Sequence, residues 1–325
     1  MRIGRALRAR ATRSTSPAAT PGRYDSWLEH FHGDRLAEID AACAGGAPEC
    51  FALFRALDVD LWALLLTQEY DLYPNIRALL PSVPDPSLQE LWNGTSGAAL
   101  AAQSAGFYRK LCERYGEHGQ RSLDEARVLD FGCGWGRLTR FLARDVEPGR
   151  LYGCDPVAQI LDVCRDSGLP ATLARSEFLP ERLPFDERFD LAFAFSVFTH
   201  LSEAAHEHAL RALHRSLQPG AILVVTVRPP GYLRQSPLLR TTHEPLGGPR
   251  YVFVAHPAQD SHPQYAGEGE MTYGEAVITL PYVRERWGPL FELLEVDLLI
   301  GDLHQVMLTL RRVEDRTHEQ PRFGD

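Results

Sequence analysis

Three glycines at one bend and two carboxylates, one before the bend and one at the end of the next apolar run, carry the chemistry most legible in this chain. The run Asp130-Phe131-Gly132-Cys133-Gly134-Trp135-Gly136 leaves an apolar tetrapeptide and turns towards a helical pattern. Glycines at such a bend remove the Cβ atoms that would keep a ligand away from backbone amides. Asp130 ends the preceding apolar run, and a carboxylate there suits a cationic ammonium or sulfonium group and repels a pyrophosphate. The spacing is Gly-x-Gly-x-Gly, not the Gly-x-Gly-x-x-Gly of dinucleotide folds, and no Gly-Lys-Ser/Thr follows, which excludes a P-loop. A second acid, Asp155, ends the next apolar run, Leu151 to Asp155. A carboxylate at that point can accept both hydroxyls of a ribose, each charged hydrogen bond contributing about 1.5–3 kcal/mol; it can equally cap the helix that follows Pro156.

Histidines are the natural candidates for proton transfer near neutral pH. His200, in Phe198-Thr199-His200-Leu201, follows a fully apolar strand candidate, and His304 follows a short turn near the C-terminus. Both are expected at the carboxyl edge of a sheet, where ligands of open α/β folds bind. Packing at a helix start is the plain alternative for His200, and a surface turn for His304. His206, His208 and His214 lie along one helix with no completing carboxylate pattern and read as solvated surface. Tyr273 and Glu275 are candidates for an acceptor pocket. The Trp92-Asn93-Gly94 turn and Gln103 are candidates for a lid, with helical core packing the alternative for Trp92.

The elements that must position these groups follow from periodicity. Apolar stripes at helical spacing occupy Tyr24 to about Tyr70, Leu88 to Trp92 and Ala98 to Tyr115, while four prolines between Pro74 and Pro86 predict an irregular stretch. From Arg127 strands alternate with helices: strands at Val128–Phe131, Leu151–Asp155, Ala171–Ala174, Phe189–Phe195 and Ala221–Val227, helices at Arg137–Asp145, Val157–Asp166 and Ser202–Leu217, then a further helix at Pro281–Leu290. Such alternation implies right-handed crossovers and a parallel sheet covered on both faces. Phe291–Ile300 and Gln305–Arg311 are separated by only four residues, Gly301-Asp302-Leu303-His304, which predicts an antiparallel hairpin closing the sheet. The Pro-, Gly- and His-rich segment from Pro229 is too long for a simple connection and reads as an insertion.

Val128 to Leu142 with Leu151 to Asp155 resembles motifs I and II of the class I S-adenosylmethionine (SAM)-dependent methyltransferases. Leu183-Pro184-Phe185, Phe189-Asp190 and Leu217-Gln218-Pro219-Gly220 are similar to the later landmarks of that family. The resemblance implies a Rossmann-like α/β fold: a seven-stranded sheet of order 3-2-1-4-5-7-6, strand 7 antiparallel, with an N-terminal helical extension and an insertion after strand 5. It implies SAM as cofactor, with Asp130 and Gly132 at the methionine part, Asp155 at the ribose and Ser176-Glu177 near the adenine. Cys133, Gly134, Gly136 and Ser196 complete the expected cofactor contacts, and no metal is expected. The domain plan is a disordered arm over residues 1–22, a helical extension or lid over 23–123, a methyltransferase domain over 124–315 with its insertion at 229–275, and a flexible tail over 316–325.

Composition bounds the partners. A chain of 325 residues, 44% hydrophobic and with net charge −9, is globular in composition and lacks the basic excess of a nucleic-acid binder. No apolar run approaches the roughly 20 residues of a membrane span. The six cysteines form no Cys-x-x-Cys pair and no signal peptide is evident, which points to a reducing cytoplasm. The expectation is methyl transfer to a small-molecule or carrier-linked acceptor, directed to oxygen. An NAD-dependent oxidoreductase would want the longer glycine spacing and a parallel sixth strand; a non-catalytic SAM-binding subunit is the third reading.

Overall fold

Continuous apolar runs become strands buried on both faces, as a helix-covered parallel sheet requires. Every residue of β1 (Val128–Phe131) and β2 (Leu151–Asp155) is buried. A computed structural model describes residues 23–239, 250–256 and 272–314. The expected arm, the tail over 316–325 and parts of the insertion lie outside these residues. With β3 (Thr172–Arg175), β4 (Phe189–Ala194), β5 (Leu217–Val227), β8 (Phe291–Leu298) and β9 (Val306–Arg312), they form a seven-stranded sheet of order β3-β2-β1-β4-β5-β9-β8. β1 pairs parallel with β2, setting Asp130 opposite Gly153, and β2 pairs parallel with β3. β9 runs antiparallel between β5 and β8, so the terminal hairpin takes the expected last two places.

The chain divides into two compact units. One comprises residues up to 177 together with 193–195 and 299–303, and so holds the N-terminal helices and β1–β3. Its helical part is built on the buried Leu28, Leu36, Phe54, Trp62, Phe107 and Leu111. Trp62 donates its indole N–H to the carbonyl of Phe141 at 3.2 Å, and Arg144 reaches back to the carbonyl of Leu57 at 2.9 Å. The N-terminal helices are thus tied to the segment that follows the glycine bend. The other unit comprises 178–192, 196–298 and 304 onward, with β5, β8, β9 and the helix Glu203–Ser216, whose cap is the Ser202 hydroxyl accepting from Ala205 N–H. It also contains β6 (Tyr251–Ala255), inside the expected insertion, and β7 (Gly274–Ile278), which runs past its expected end, paired antiparallel as a separate two-stranded sheet.

Three expected elements differ. Pro74 starts a short helix, Pro74–Leu79, because proline costs nothing in a first turn whose N–H groups are unpaired anyway. The helix expected over 137–145 is helical only at Thr139–Leu142, with tight turns on either side. The helix expected from Pro281 runs Leu280–Tyr282 and then widens into a π-turn at Val283–Trp287. Among the described residues no helix is long and apolar enough to cross a membrane.

Candidate active site

Gly132, Gly134 and Gly136 adopt φ of +73°, +53° and +76°, so each occupies the left-handed region that a side chain disfavours. At Gly136 the exclusion is also steric, since a Cβ would lie 2.5 Å from a methyl of Leu169. The N–H groups of Gly132 and Cys133 both donate to the carbonyl of Cys154, at 2.8 and 3.1 Å, tying the bend to the end of β2. The thiols of Cys133 and Cys164 both approach the carbonyl of Gly134, at 3.7 and 3.2 Å. The hydrogen bond with Cys164, then burial, pushes the Cys133 thiol well above its usual range, so it stays protonated.

Asp130 and Asp155 are 3% and 4% exposed. Asp155 accepts from Gly134 N–H at 3.0 Å with one oxygen and from Val157 N–H at 2.9 Å with the other. It therefore both caps the next helix and braces the glycine bend, and each oxygen keeps a lone pair for a further donor. Burial pushes its carboxyl up to about 6, against the opposing pull of these two N–H groups. Asp130 accepts from the Thr139 hydroxyl at 2.6 Å. Burial, with a smaller contribution from Asp155, pushes Asp130 up to about 7, opposed by the Thr139 hydrogen bond and the charge of Arg137. Two buried acids, each raised chiefly by its burial, form a site whose ionisation a cation would favour.

A buried network stands behind the bend. Arg137 donates to Gln103 at 2.5 Å and to Ser104 at 3.1 Å, and its guanidinium lies 4.7 Å from the ring centroid of Phe195. Gln103 passes the connection to Asp302 at 2.8 Å. Trp135 donates its indole N–H to Asn93 at 2.8 Å, and the Trp92 ring lies 3.7 Å from where a Cβ on Gly134 would be. Both candidate lid positions, the 92–94 turn and Gln103, therefore touch the bend or the residue after it. Ser176 is buried with its N–H on the carbonyl of Asp155 at 3.2 Å, whereas Glu177 is exposed.

In the second unit, Ser196 has φ of +58°, the one non-glycine residue among those described in the left-handed region. Such a conformation costs on the order of 1–3 kcal/mol and persists only where surroundings enforce it. Here Ser196 N–H donates to the Thr226 hydroxyl at 2.7 Å, and Gln305 donates to the Ser196 hydroxyl at 3.0 Å.

His200 is held by the returning strand of the insertion. Gly274 N–H donates to the His200 carbonyl at 2.8 Å, and the Tyr273 ring stacks on the imidazole at a centroid distance of 5.0 Å and 17°. The ring Nδ1 lies 2.8 Å from the carbonyl of Gly274, which can only accept, so Nδ1 carries the proton. Nε2 then accepts from Arg228, 3.3 Å away. Burial, followed by the charge of Arg228, lowers His200 to about 3. In this arrangement the imidazole is a neutral strut with its lone pair turned to a cation. Tyr232 lies beneath Arg228 with its ring centroid 4.3 Å away, and exposed His304 meets that tyrosine edge-on at 5.3 Å. Tyr273 and Glu275 both join this cluster, Glu275 through an ion pair with Arg228 at 3.7 Å.

His206 and His214 are not solvated surface: they are 1% and 5% exposed. Helical spacing alone does not say which face packs. Here Phe198, Tyr251, Tyr282 and Trp287 surround His206, and Phe291 meets His214 edge-on at 5.5 Å. Burial lowers His206 to about 3. Arg228, His256 and the Arg137 network carried no motif that spacing could expose. The one sequence signal for Arg228 is its place as a cation directly after a strand with no acid nearby in sequence.

Residues 128–220 match the family model described as a methyltransferase domain. No curated protein matches the sequence. Among solved structures, a glycopeptide N-methyltransferase complexed with sinefungin aligns with 63% of this chain and 92% of its own, at 17% identity and TM-score 0.44. A 1,6-didemethyltoxoflavin N1-methyltransferase from Burkholderia thailandensis covers 67% and 79%, at 19% identity and TM-score 0.45. The magnesium protoporphyrin IX methyltransferase of Synechocystis covers 80% and 96%, at 13% identity and TM-score 0.45.

Proposed function

We infer, from a chain that carries a methyltransferase domain over residues 128–220, that it moves a methyl group from SAM to the oxygen of a small-molecule or carrier-linked acceptor. The observation that carries this reading is the joining of two buried acids, at the tips of neighbouring strands, by a glycine bend with three left-handed residues. A pyrophosphate would be repelled there; a cationic sulfur nucleoside lowers the cost of ionising Asp130 and Asp155.

When bound, SAM supplies an electrophilic methyl on its sulfonium. Asp130 and Gly132 would hold the methionine part and Asp155 the ribose hydroxyls. Cys133, Gly134 and Gly136 would let the backbone approach, Ser176 and Glu177 would meet the adenine, and Ser196 would contribute its constrained hydroxyl. The helical extension, residues 23–123, serves in this reading as a lid that keeps water from the donor, with Trp92 and Gln103 as its contacts to the bend.

On the acceptor side His200 orients Arg228. We assign His304, exposed beside Tyr232, to take the acceptor proton. Calorimetry and thermal shift with SAM, S-adenosylhomocysteine and NAD test the donor. Stabilisation by the first two and not by NAD is expected; the reverse would make the protein an NAD-linked enzyme. SAM binding without turnover on any acceptor would leave a non-catalytic subunit.

A further inference from the structure

Among the described residues Arg228 is the less satisfied of two buried guanidiniums with unpaired nitrogens, Arg140 lacking a partner at Nε alone. Arg228 is 7% exposed, yet among the described residues its Nε and Nη1 find no hydrogen-bond acceptor. Arg144, 6% exposed, donates instead to the Tyr108 hydroxyl, the Asp145 carboxylate and the carbonyls of Phe54 and Leu57. A buried guanidinium has five N–H groups to satisfy, and each one left unpaired costs on the order of 1–3 kcal/mol. The fold nevertheless holds Arg228 in place from several sides. Tyr232 lies under its plane, and His200 accepts from Nη2 at 3.3 Å. Glu275 is near but does not complete it: at 3.7 Å from Nη1 it is a counter-charge and not a hydrogen-bond acceptor. Its two oxygens already receive the hydroxyls of Tyr232 and Ser236.

We propose that Arg228 anchors a carboxylate of the methyl acceptor, received by its unpaired N–H edges. That the ligand is the acceptor rests on the methyltransferase reading; that the site takes a carboxylate does not. One arginine already facing Glu275 suits a single negative charge, whereas a phosphate dianion would meet stronger repulsion from that glutamate. The surrounding rings favour a flat body attached to the carboxylate. Tyr273 is stacked on His200, and His256 lies 5.4 Å from Tyr273.

The probes are benzoate, benzamide and inorganic phosphate, each titrated by calorimetry into the full chain with S-adenosylhomocysteine present. Benzoate should bind at least tenfold more tightly than benzamide, and R228Q should erase that difference. E275Q removes the competing charge and should tighten benzoate at least threefold, a gain that a misfolded protein cannot produce. Equal binding of acid and amide, no binding of either, or no tightening in E275Q overturns the proposal. Phosphate binding more tightly than benzoate overturns the choice of carboxylate. The same samples report S-adenosylhomocysteine affinity. Its absence beside intact benzoate discrimination would remove the methyltransferase reading and leave the anion site standing.

Discussion

The backbone N–H of Gly134 donates to the carboxylate of Asp155 at 3.0 Å, so the acid at the tip of β2 and the glycine bend after β1 are one unit. Asp155→Ala removes a brace and a candidate ribose acceptor together. The variant should bind SAM at least tenfold more weakly by calorimetry, about 1.4 kcal/mol or more. Unchanged affinity would take Asp155 out of the cofactor site.

SAM affinity should depend on pH through the same two acids. With Asp130 raised to about 7 and Asp155 to about 6, both are ionised only towards alkaline pH, and a cationic ligand favours that form. Affinity should fall as pH drops from 8 to 5.5, with proton release near pH 6.5. Titrations in two buffers of different ionisation enthalpy measure that release directly.

Asp130→Asn should separate stability from binding. A carboxyl whose folded pKa lies above its unfolded value favours the folded state below about pH 4, and this advantage is lost as pH rises through about 7. The ligand-free variant should therefore melt higher than the parent at pH 8, by roughly 2–5 °C, and show little gain at pH 4.5. Its SAM affinity should drop. A lower melting temperature at pH 8 would mean that the Thr139 hydrogen bond outweighs the burial of charge.

Ser196→Gly should relieve the left-handed backbone and add about 1 kcal/mol of stability, read by denaturant unfolding. The same change discards the hydroxyl that Gln305 orients, so turnover should fall. A destabilised variant would show that the hydroxyl's contacts with Gln305 and Thr199 hold more than the strain costs.

His200→Ala should leave S-adenosylhomocysteine affinity within twofold and slow turnover at least tenfold, while the acid limb of the pH–rate profile stays where it was. With its Nε2 lone pair on Arg228 and its pKa lowered to about 3, His200 stays neutral and does not titrate near neutral pH. An acid limb that moves in this variant would return it to a proton-transfer role.

The glycine bend, the two acids and the terminal hairpin were legible in the sequence because each rests on local signals, whereas the strand order came with the family resemblance. Gly-x-Gly-x-Gly sits between an apolar run and a helix, and only four residues separate Ile300 from Gln305. The cluster around Arg228 was not legible, because its partners come from positions 200, 232 and 275, which no periodicity links. Tyr273 and Glu275 could be named as pocket candidates, but not the arginine between them and His200. His206 and His214 misled for a related reason. The rings that cover His206 come from positions 198, 251, 282 and 287, and no spacing links them to its helix.

The indole of Trp62 on the carbonyl of Phe141, with Arg144 returned to Leu57, also sets where the gene can be shortened. A truncation that begins at Arg127 would look reasonable from the matched family segment alone. It would strip partners from three buried arginines, Arg137, Arg140 and Arg144, and bare the aromatic wall beside them, and the product should collect in inclusion bodies. Expression trials, crystallisation and library screens are better started ahead of Tyr24.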